Sequence, residues 1–118
     1  MTYVDGFVLP LKKKDVGAYK RVASVAGKVW IEHGALEYRE CLGDDLNIEG
    51  MAPFGQGVKL KRDETVVFAW ITYRSRAQRD KVNAKVMADQ RLDKCAEIMP
   101  KFDMKRMMYG GFKVIVAR

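Results

Sequence analysis

The segment from Thr65 to Tyr73 constrains this chain more than any other. Most of its residues are β-branched or aromatic, and apolar side chains occupy both sets of alternating positions. Because the side chains of a strand point alternately to the two faces of its sheet, this segment predicts a strand that is covered on both faces. Tyr3 to Pro10 has the same character. The fold therefore needs a sheet whose two central strands are both shielded from water on each side.

Helical spacing separates these strands. Asp15 is predicted to begin a helix that ends at Gly34. Its apolar stripe consists of Val16, Tyr19, Val22, Ala23, Ala26 and Trp30. Ser75 is predicted to cap a second helix that runs to about Ala88, and a short helix is predicted over 89–99, where Pro100 stops it.

Two further strands complete the pattern, one from Leu36 to Leu42 and one from Arg106 to Val116. The resulting β-α-β, long connection, β-α-β order is typical of a ferredoxin-like α+β fold, a two-layer antiparallel sheet with its helices on one face. The spatial strand order of that fold is 4-1-3-2, which places the two doubly apolar strands at the centre. We expect one domain over 1–118 and a homodimer, because a second copy of the sheet is the simplest cover for the face without helices.

The connection from Gly43 to Glu64 is long for a loop in a small domain. We interpret it as a flap and predict a short strand within it at 58–61. Near the other end of the chain, Gly110 and Gly111 indicate a bulge or a close approach of the backbone to another group.

Composition excludes several classes of protein. No apolar stretch reaches the ~20 residues that span a bilayer, and the first residues lack the basic and apolar segments of a secretory signal. We therefore expect a cytoplasmic protein with no membrane partner. The net charge is +7, with basic clusters at 12–14, 59–62 and 74–79. We interpret these as a solvated surface in preference to a nucleic-acid site, since nonspecific attraction of this kind fades with salt.

The sequence contains few residues that could bind a metal or a cofactor. His33 is the single histidine, and the two cysteines, Cys41 and Cys95, lie 54 positions apart. We expect free thiols that pack inertly, no protein-ligated metal and no cofactor.

Several segments resemble the YbaA-like family of uncharacterised bacterial proteins. They are the motif YVDGF at 3–7, GAL at 34–36 with EC at 40–41, VVFAWI at 66–71 and MKRMMYGGF at 104–112. The matches occur in order and cover nearly the whole chain. The resemblance implies the dimeric α/β-barrel superfamily, in which two ferredoxin-like subunits pack sheet against sheet. That superfamily holds cofactor-free monooxygenases, haem-degrading enzymes, isomerases and apparent non-enzymes, so the fold does not choose a function.

Three residues are candidates for catalysis. Asp5 lies in a central strand, where a carboxylate is costly unless it is paired, and Arg106 in the neighbouring last strand is the predicted partner. A structural ion pair is the alternative that we favour for these two. His33 ends the first helix, and a capping role at the negative end of the helix dipole is favoured over catalysis.

Candidate ligand-binding residues are aromatic or polar side chains predicted to line a pocket between the sheet and the helices. They are Trp70, Tyr73, Tyr109, Tyr38 and Asn83, with Arg79 as a further polar contact. Aromatic residues in strands also serve simply as core or interface.

Three functions remain open on the sequence. A non-catalytic interaction module predicts a core filled solid by Trp30, Phe68 and Trp70. An enzyme or binder of a small molecule, monooxygenase- or isomerase-like, predicts a closed pocket with one or two polar groups. RNA binding predicts basic residues gathered on one face with exposed aromatic residues between them.

Overall fold

The sheet is antiparallel and has the predicted topology. A computed structural model describes residues 2–118, and Met1, the first residue of the predicted domain, lies outside the described residues. Within 2–118 the strands are β1 (Tyr3–Lys12), β2 (Glu37–Leu42), β3 (Glu64–Tyr73) and β4 (Met108–Lys113). Their spatial order is β2-β3-β1-β4, so the doubly apolar strands are central. The predicted ferredoxin-like α+β fold is confirmed.

The helices lie at the predicted places, with one addition. They are α1 (Val16–Glu32), α2 (Phe54–Gly57), α3 (Arg76–Met87) and α4 (Gln90–Ile98). The Ser75 hydroxyl accepts a hydrogen bond from the Gln78 backbone N–H at 3.1 Å, which confirms that cap. Asp15 stands at the N-cap of α1 without a side-chain capping bond, because a 3₁₀ turn leads directly into the helix. Gly34 follows α1 with φ at +119°, a conformation that favours glycine.

The two faces of the sheet have different covers. Strand register pairs Asp5 with Ile71 and Gly111, so these three residues lie on the same face of the sheet. This face is the one that packs against the helices. The core on that face is built around Val29, Ile71, Tyr73, Val82 and Val86, which are all buried. Burial of such side chains contributes about 1.5–3 kcal/mol each.

The second face is apolar and partly open. Phe68 and Phe112 are exposed there, and Val4 and Trp70 are half-buried. Register places Phe68 opposite Val8 and Phe112 opposite Val4, on the face away from the helices.

The connection from Gly43 to Glu64 covers one end of this open face. The strand predicted at 58–61 is wrong, because the chain turns back on α2 instead of extending. The Leu60 N–H donates to the Gly55 carbonyl at 2.9 Å, and Lys59 has φ at +49°. Val58 is fully buried in a small cluster with Val8 and Val66. The segment is thus anchored to the sheet by an apolar contact and not by strand pairing.

The glycine pair in β4 marks a close approach. The ladder with β1 continues through Gly110 and Gly111 without an extra residue. A Cβ atom on Gly111 would overlap the Tyr3 hydroxyl, so this position requires glycine. Of the two predicted alternatives, the close approach is the one observed.

Candidate ligand-binding site

A small cavity lies between the sheet and the helices. Its volume is about 140 Å³, and we call it the inner cavity. Most of the residues that line it are apolar or aromatic: Phe7, Leu9, Trp30, Ala69, Ile71, Met99, Phe102 and Met107. A space of this kind suits an apolar group about the size of a benzene ring.

Three polar side chains meet at one wall of the inner cavity, and we call them the Tyr-Glu-Tyr triad. Tyr19 comes from the buried stripe of α1, while Tyr38 and Glu40 lie two positions apart on the same face of β2. The Tyr19 hydroxyl donates to Glu40 Oε1 at 2.7 Å, and the Tyr38 hydroxyl donates to Glu40 Oε2 at 2.6 Å. Burial raises the pKa of both phenols, and the adjacent Glu40 carboxylate raises it further. Both tyrosines therefore keep their protons at neutral pH and act as donors.

Gly27 makes room for this arrangement. A Cβ atom at position 27 would lie 2.7 Å from Cδ1 and 2.9 Å from Cε1 of the Tyr38 ring, well inside contact distance. The absence of a side chain at this point of α1 allows the Tyr38 ring to lie against the helix, with its hydroxyl directed at Glu40.

An open cleft adjoins the inner cavity. It lies between α1 and β2, has a volume of about 1000 Å³, and we call it the outer cleft. Tyr19, Tyr38 and Glu40 line both spaces. The Tyr-Glu-Tyr triad therefore stands at the boundary between a small, mainly apolar compartment and a larger, more open one.

Asp5 belongs to a separate polar cluster near the other end of β1. It is only 1% exposed, and its Oδ1 lies 3.5 Å from Arg79 Nη1 and has no hydrogen-bond partner in the described part of the chain. Arg79 also donates to the Tyr109 and Tyr3 hydroxyls, at 3.1 and 3.2 Å. Burial raises the pKa of Asp5 despite the opposing effect of Arg79. The pairing resembles a buried structural ion pair supported by two phenols.

The predicted partner of Asp5 is wrong. Arg106 instead forms a two-pronged pair with Glu64, with both N–O distances at 2.7 Å. Register explains the error, because Asp5 stands opposite Gly111, whereas Arg106 lies in the 3₁₀ turn before β4 begins.

The other predicted site residues divide among three places. Tyr38 lines the inner cavity. Tyr73 and Asn83 lie beside the Asp5 cluster, where the Tyr73 hydroxyl donates to Asn83 Oδ1 at 3.2 Å, and Tyr109 is part of that cluster. Trp70 lies on the open face of the sheet, where its Nε1 donates to Glu37. The prediction that Trp70 shares a pocket with Tyr73 is therefore wrong, since an odd spacing in a strand places two side chains on opposite faces.

His33 ends α1, as predicted. Its Nε2 lies 2.8 Å from Oδ2 of Asp89, the residue at the N-cap of α4. Hydrogen bonds from Arg91 and then His33 hold the pKa of Asp89 well below its usual range. The contact joins the end of one helix to the start of another, away from the inner cavity.

Tyr19 and Glu40 are site residues that are not predicted from the sequence. Tyr19 fits the apolar stripe of the first helix as a core residue. The available signal was Glu40, a carboxylate on the inward face of a strand, two positions from Tyr38. Among residues 2–118, no group of three or more His, Cys, Asp or Glu side chains is placed to hold a metal ion, and Cys41 and Cys95 are free thiols.

The family model for DUF1428, described as a protein of unknown function, matches residues 2–104. This chain belongs to the DUF1428 family. It is 45% identical over 118 residues to the uncharacterised protein YbaA of Escherichia coli strain K12, with 98% of each chain covered. The same values hold for YbaA of Shigella flexneri. The resemblance drawn from the sequence motifs is confirmed.

Solved structures share the fold of this DUF1428 protein at low sequence identity. One is a dimeric ferredoxin-like protein from an uncultured marine organism, with a TM-score of 0.61, 12% identity and 100% of both chains covered. Another is a putative antibiotic biosynthesis monooxygenase from Nitrosomonas europaea, with a TM-score of 0.59 and 14% identity, covering 97% of this chain and 90% of that one. A dimeric ferredoxin-like protein from Jannaschia sp. CCS1 has a TM-score of 0.57 and 10% identity, with 95% and 99% covered. No helix within residues 2–118 is long and apolar enough to cross a membrane.

Proposed function

We propose that this protein binds a small, mainly apolar molecule, with a ring-sized part in the inner cavity and the remainder in the outer cleft. The observation that carries the proposal is that Tyr19, Tyr38 and Glu40 line both spaces. Small-molecule sites are typically apolar concavities with a few polar groups that set orientation. The inner cavity and the Tyr-Glu-Tyr triad have this composition.

The placement of the large aromatic residues favours a binder over a non-catalytic interaction module. The module hypothesis requires Trp30, Phe68 and Trp70 to fill the core. Trp30 instead lines the inner cavity, while Phe68 and Trp70 lie on the opposite face of the sheet.

The distribution of basic residues disfavours RNA binding. Lys12 at the end of β1 stands opposite Glu64 at the start of β3, so the clusters at 12–14 and 59–62 lie at one end of the sheet. Arg74 follows β3 at the opposite end. A nucleic-acid site would gather these charges on one face.

The same proposal includes a homodimer formed through the open face of the sheet. That face presents Val4, Phe68, Trp70 and Phe112. Its charged residues Glu37 and Arg39 lie 3.5 Å apart and neutralise each other within one subunit. A two-fold interface requires a surface that can meet a copy of itself, and a neutral apolar face does so even when the whole chain carries a charge of +7. Two solved structures of the same fold are titled dimeric ferredoxin-like proteins, which supports this arrangement.

Methyl NMR with toluene as the probe tests the binding proposal. Toluene is expected to shift the methyl resonances of Met99 and Met107, which line the inner cavity, and to leave those of the exposed Met51 and Met87 in place. Ala69→Ile adds carbon atoms inside the cavity and is expected to abolish the shifts while the protein stays folded. Toluene binding that is absent in the wild type, or unaffected by Ala69→Ile, would contradict the proposal.

A further inference from the structure

We propose that the ligand carries a hydrogen-bond donor, a hydroxyl or an amine, which it presents to Glu40. This inference rests on the proposed function and specifies the chemical class of the molecule. It follows from counting donors and acceptors where the inner cavity meets the outer cleft.

Both hydroxyl donors of the Tyr-Glu-Tyr triad are already used in hydrogen bonds within it. A tyrosine hydroxyl has one proton to donate, and both Tyr19 and Tyr38 direct theirs at Glu40. A carboxylate offers about four acceptor positions, of which these bonds fill two. What remains free at the triad is acceptor capacity, on the carboxylate and on the phenol oxygens. A ligand group at this point must therefore donate.

Charge excludes the opposite class of ligand from this position. A carboxylate ligand would bring a second negative group against the Glu40 carboxylate, and this contact between like charges is unfavourable. Three cations, Lys20, Lys28 and Arg39, line the outer cleft, and the two lysines are exposed on α1. Arg39 also borders the inner cavity, but its position in β2 places its side chain on the open face of the sheet, where it lies 3.5 Å from Glu37. An anionic group has a place in the outer cleft but not at the Tyr-Glu-Tyr triad.

The walls of the inner cavity indicate what carries the donor. Phe7, Trp30 and Phe102 offer aromatic surfaces, and Met99 and Met107 offer polarisable thioethers. Such walls suit a flat ring. The inferred ligand is an aromatic or similarly flat apolar group with a hydroxyl or amine on its edge.

Four probes of similar size test the inference by calorimetric or NMR titration at pH 7.5: p-cresol, 4-methylanisole, toluene and 4-methylbenzoate. p-Cresol and 4-methylanisole both carry an oxygen on the ring, but only p-cresol can donate. A hydrogen bond to a charged acceptor corresponds to about tenfold or more in affinity, so p-cresol is expected to bind at least about tenfold more tightly than 4-methylanisole. The benzoate is expected to bind most weakly.

The outcomes separate this inference from the proposed function. If toluene binds but p-cresol and 4-methylanisole bind equally, the donor inference is wrong and the cavity proposal stands. If none of the four binds, the cavity proposal itself fails. Tightest binding by 4-methylbenzoate would also overturn the donor inference.

Two variants with opposite expected effects strengthen the test. Glu40→Gln keeps the shape but removes the charge, and is expected to reduce the preference for p-cresol over 4-methylanisole by about tenfold while toluene affinity is kept. Tyr38→Phe frees an acceptor position on Glu40, so p-cresol affinity is expected to equal or exceed that of the wild type. Glu97→Gln, an exposed carboxylate on α4 outside the site, is the matched control for charge. A loss of p-cresol binding in Tyr38→Phe as large as that in Glu40→Gln would overturn the assignment of Glu40 as the acceptor.

Discussion

Gly27 sets the distance between α1 and the Tyr-Glu-Tyr triad. The edge of the Tyr38 ring lies where a Cβ atom would stand at position 27. The hydroxyl of that ring donates to Glu40, so the packing of one helical glycine determines where a polar group of the site points. An aromatic ring has no flexible end that could yield to a new methyl group.

The substitution Gly27→Ala is expected to destabilise the protein relative to Gly17→Ala by about 1–3 kcal/mol, since it overpacks a closed contact. Gly17 lies on the same helix, and a Cβ atom there would meet Arg21 at an ordinary 3.7 Å. Both changes replace a helical glycine, so the gain in helix propensity, about 1 kcal/mol in a helix interior, cancels in part. Urea unfolding of the two variants measures the difference, and equal stabilities would show that Tyr38 can move aside freely.

The residues of the site show why only part of it could be predicted. Tyr38 is one of the aromatic residues predicted to line a pocket between the sheet and the helices, and it does line the inner cavity. Glu40 is not predicted as a site residue because β2 contains several polar residues, and one carboxylate among them does not indicate a site. Its role depends on Tyr19, which lies 21 positions away along the chain, and no local pattern brings the two together.

At the scale of elements, the Glu64–Arg106 pair ties three segments together. Glu64 begins β3, and Arg106 belongs to the turn before β4. Arg106 also donates to the Lys59 carbonyl at 3.2 Å, in the segment that follows α2. Hydrogen bonds from Arg106 are the main cause that lowers the pKa of Glu64 from 4.5 to about 2. The pair therefore couples the anchoring of the Gly43 to Glu64 connection to the protonation state of Glu64.

This coupling predicts a pH dependence. A carboxyl group whose pKa is lower in the folded state contributes stability above its unfolded pKa, and that stability is lost as the pH falls through the folded value. The difference in unfolding free energy between wild type and Glu64→Gln is expected to be on the order of 3 kcal/mol near pH 6 and to shrink between about pH 5 and pH 2. Denaturant unfolding across this range measures it.

Asp63→Asn is the matched control for the pH experiment, because it removes the neighbouring carboxylate, which is exposed. The difference in unfolding free energy between Asp63→Asn and wild type is expected to stay small across the whole pH range. A difference for Glu64→Gln that does not vary with pH would mean that the Arg106 pairing contributes no net stability.

Elements were predicted well where hydrophobic periodicity is strong and poorly where glycine and polar residues dominate. The four strands and three of the helices follow from the apolar spacing, and tertiary packing changed only their ends. The short helix at 54–57 was missed because it is stabilised by its contact with the sheet through Val58 and not by any local pattern. Arg106 was paired with the wrong carboxylate because strand order was known but register was not.

At the scale of the whole molecule, the open face of the sheet is the apolar surface that a partner would cover. Phe112 is 60% exposed there, and its ring lies 3.4 Å from where a Cβ atom of Gly6 would stand. Exposed contiguous apolar surface of this kind marks an interaction site. In the homodimer that we propose, a second copy of the same face would supply the cover that the central strands require.

The substitution Phe112→Glu is therefore expected to convert the proposed dimer to a monomer at micromolar concentration, since it would bury a charge without a partner in an apolar interface. Met87→Glu adds the same charge at an exposed position on α3 and is expected to leave the dimer intact. Analytical ultracentrifugation measures the oligomeric state of both variants, and circular dichroism establishes that each is folded. A wild-type monomer, or a dimeric Phe112→Glu, would refute the proposed interface.

The position of β2 at the edge of the sheet has a kinetic consequence. This strand pairs with β3 alone, yet it carries both Tyr38 and Glu40. Edge strands open locally at a lower free-energy cost than central ones. The wall between the inner cavity and the outer cleft is thus also one of the two edges of the sheet, which detach more readily than its central strands. Entry and exit of the proposed ligand would then follow the fraying of this short strand. Its residence time would be set by backbone hydrogen bonds between β2 and β3, without the motion of a domain.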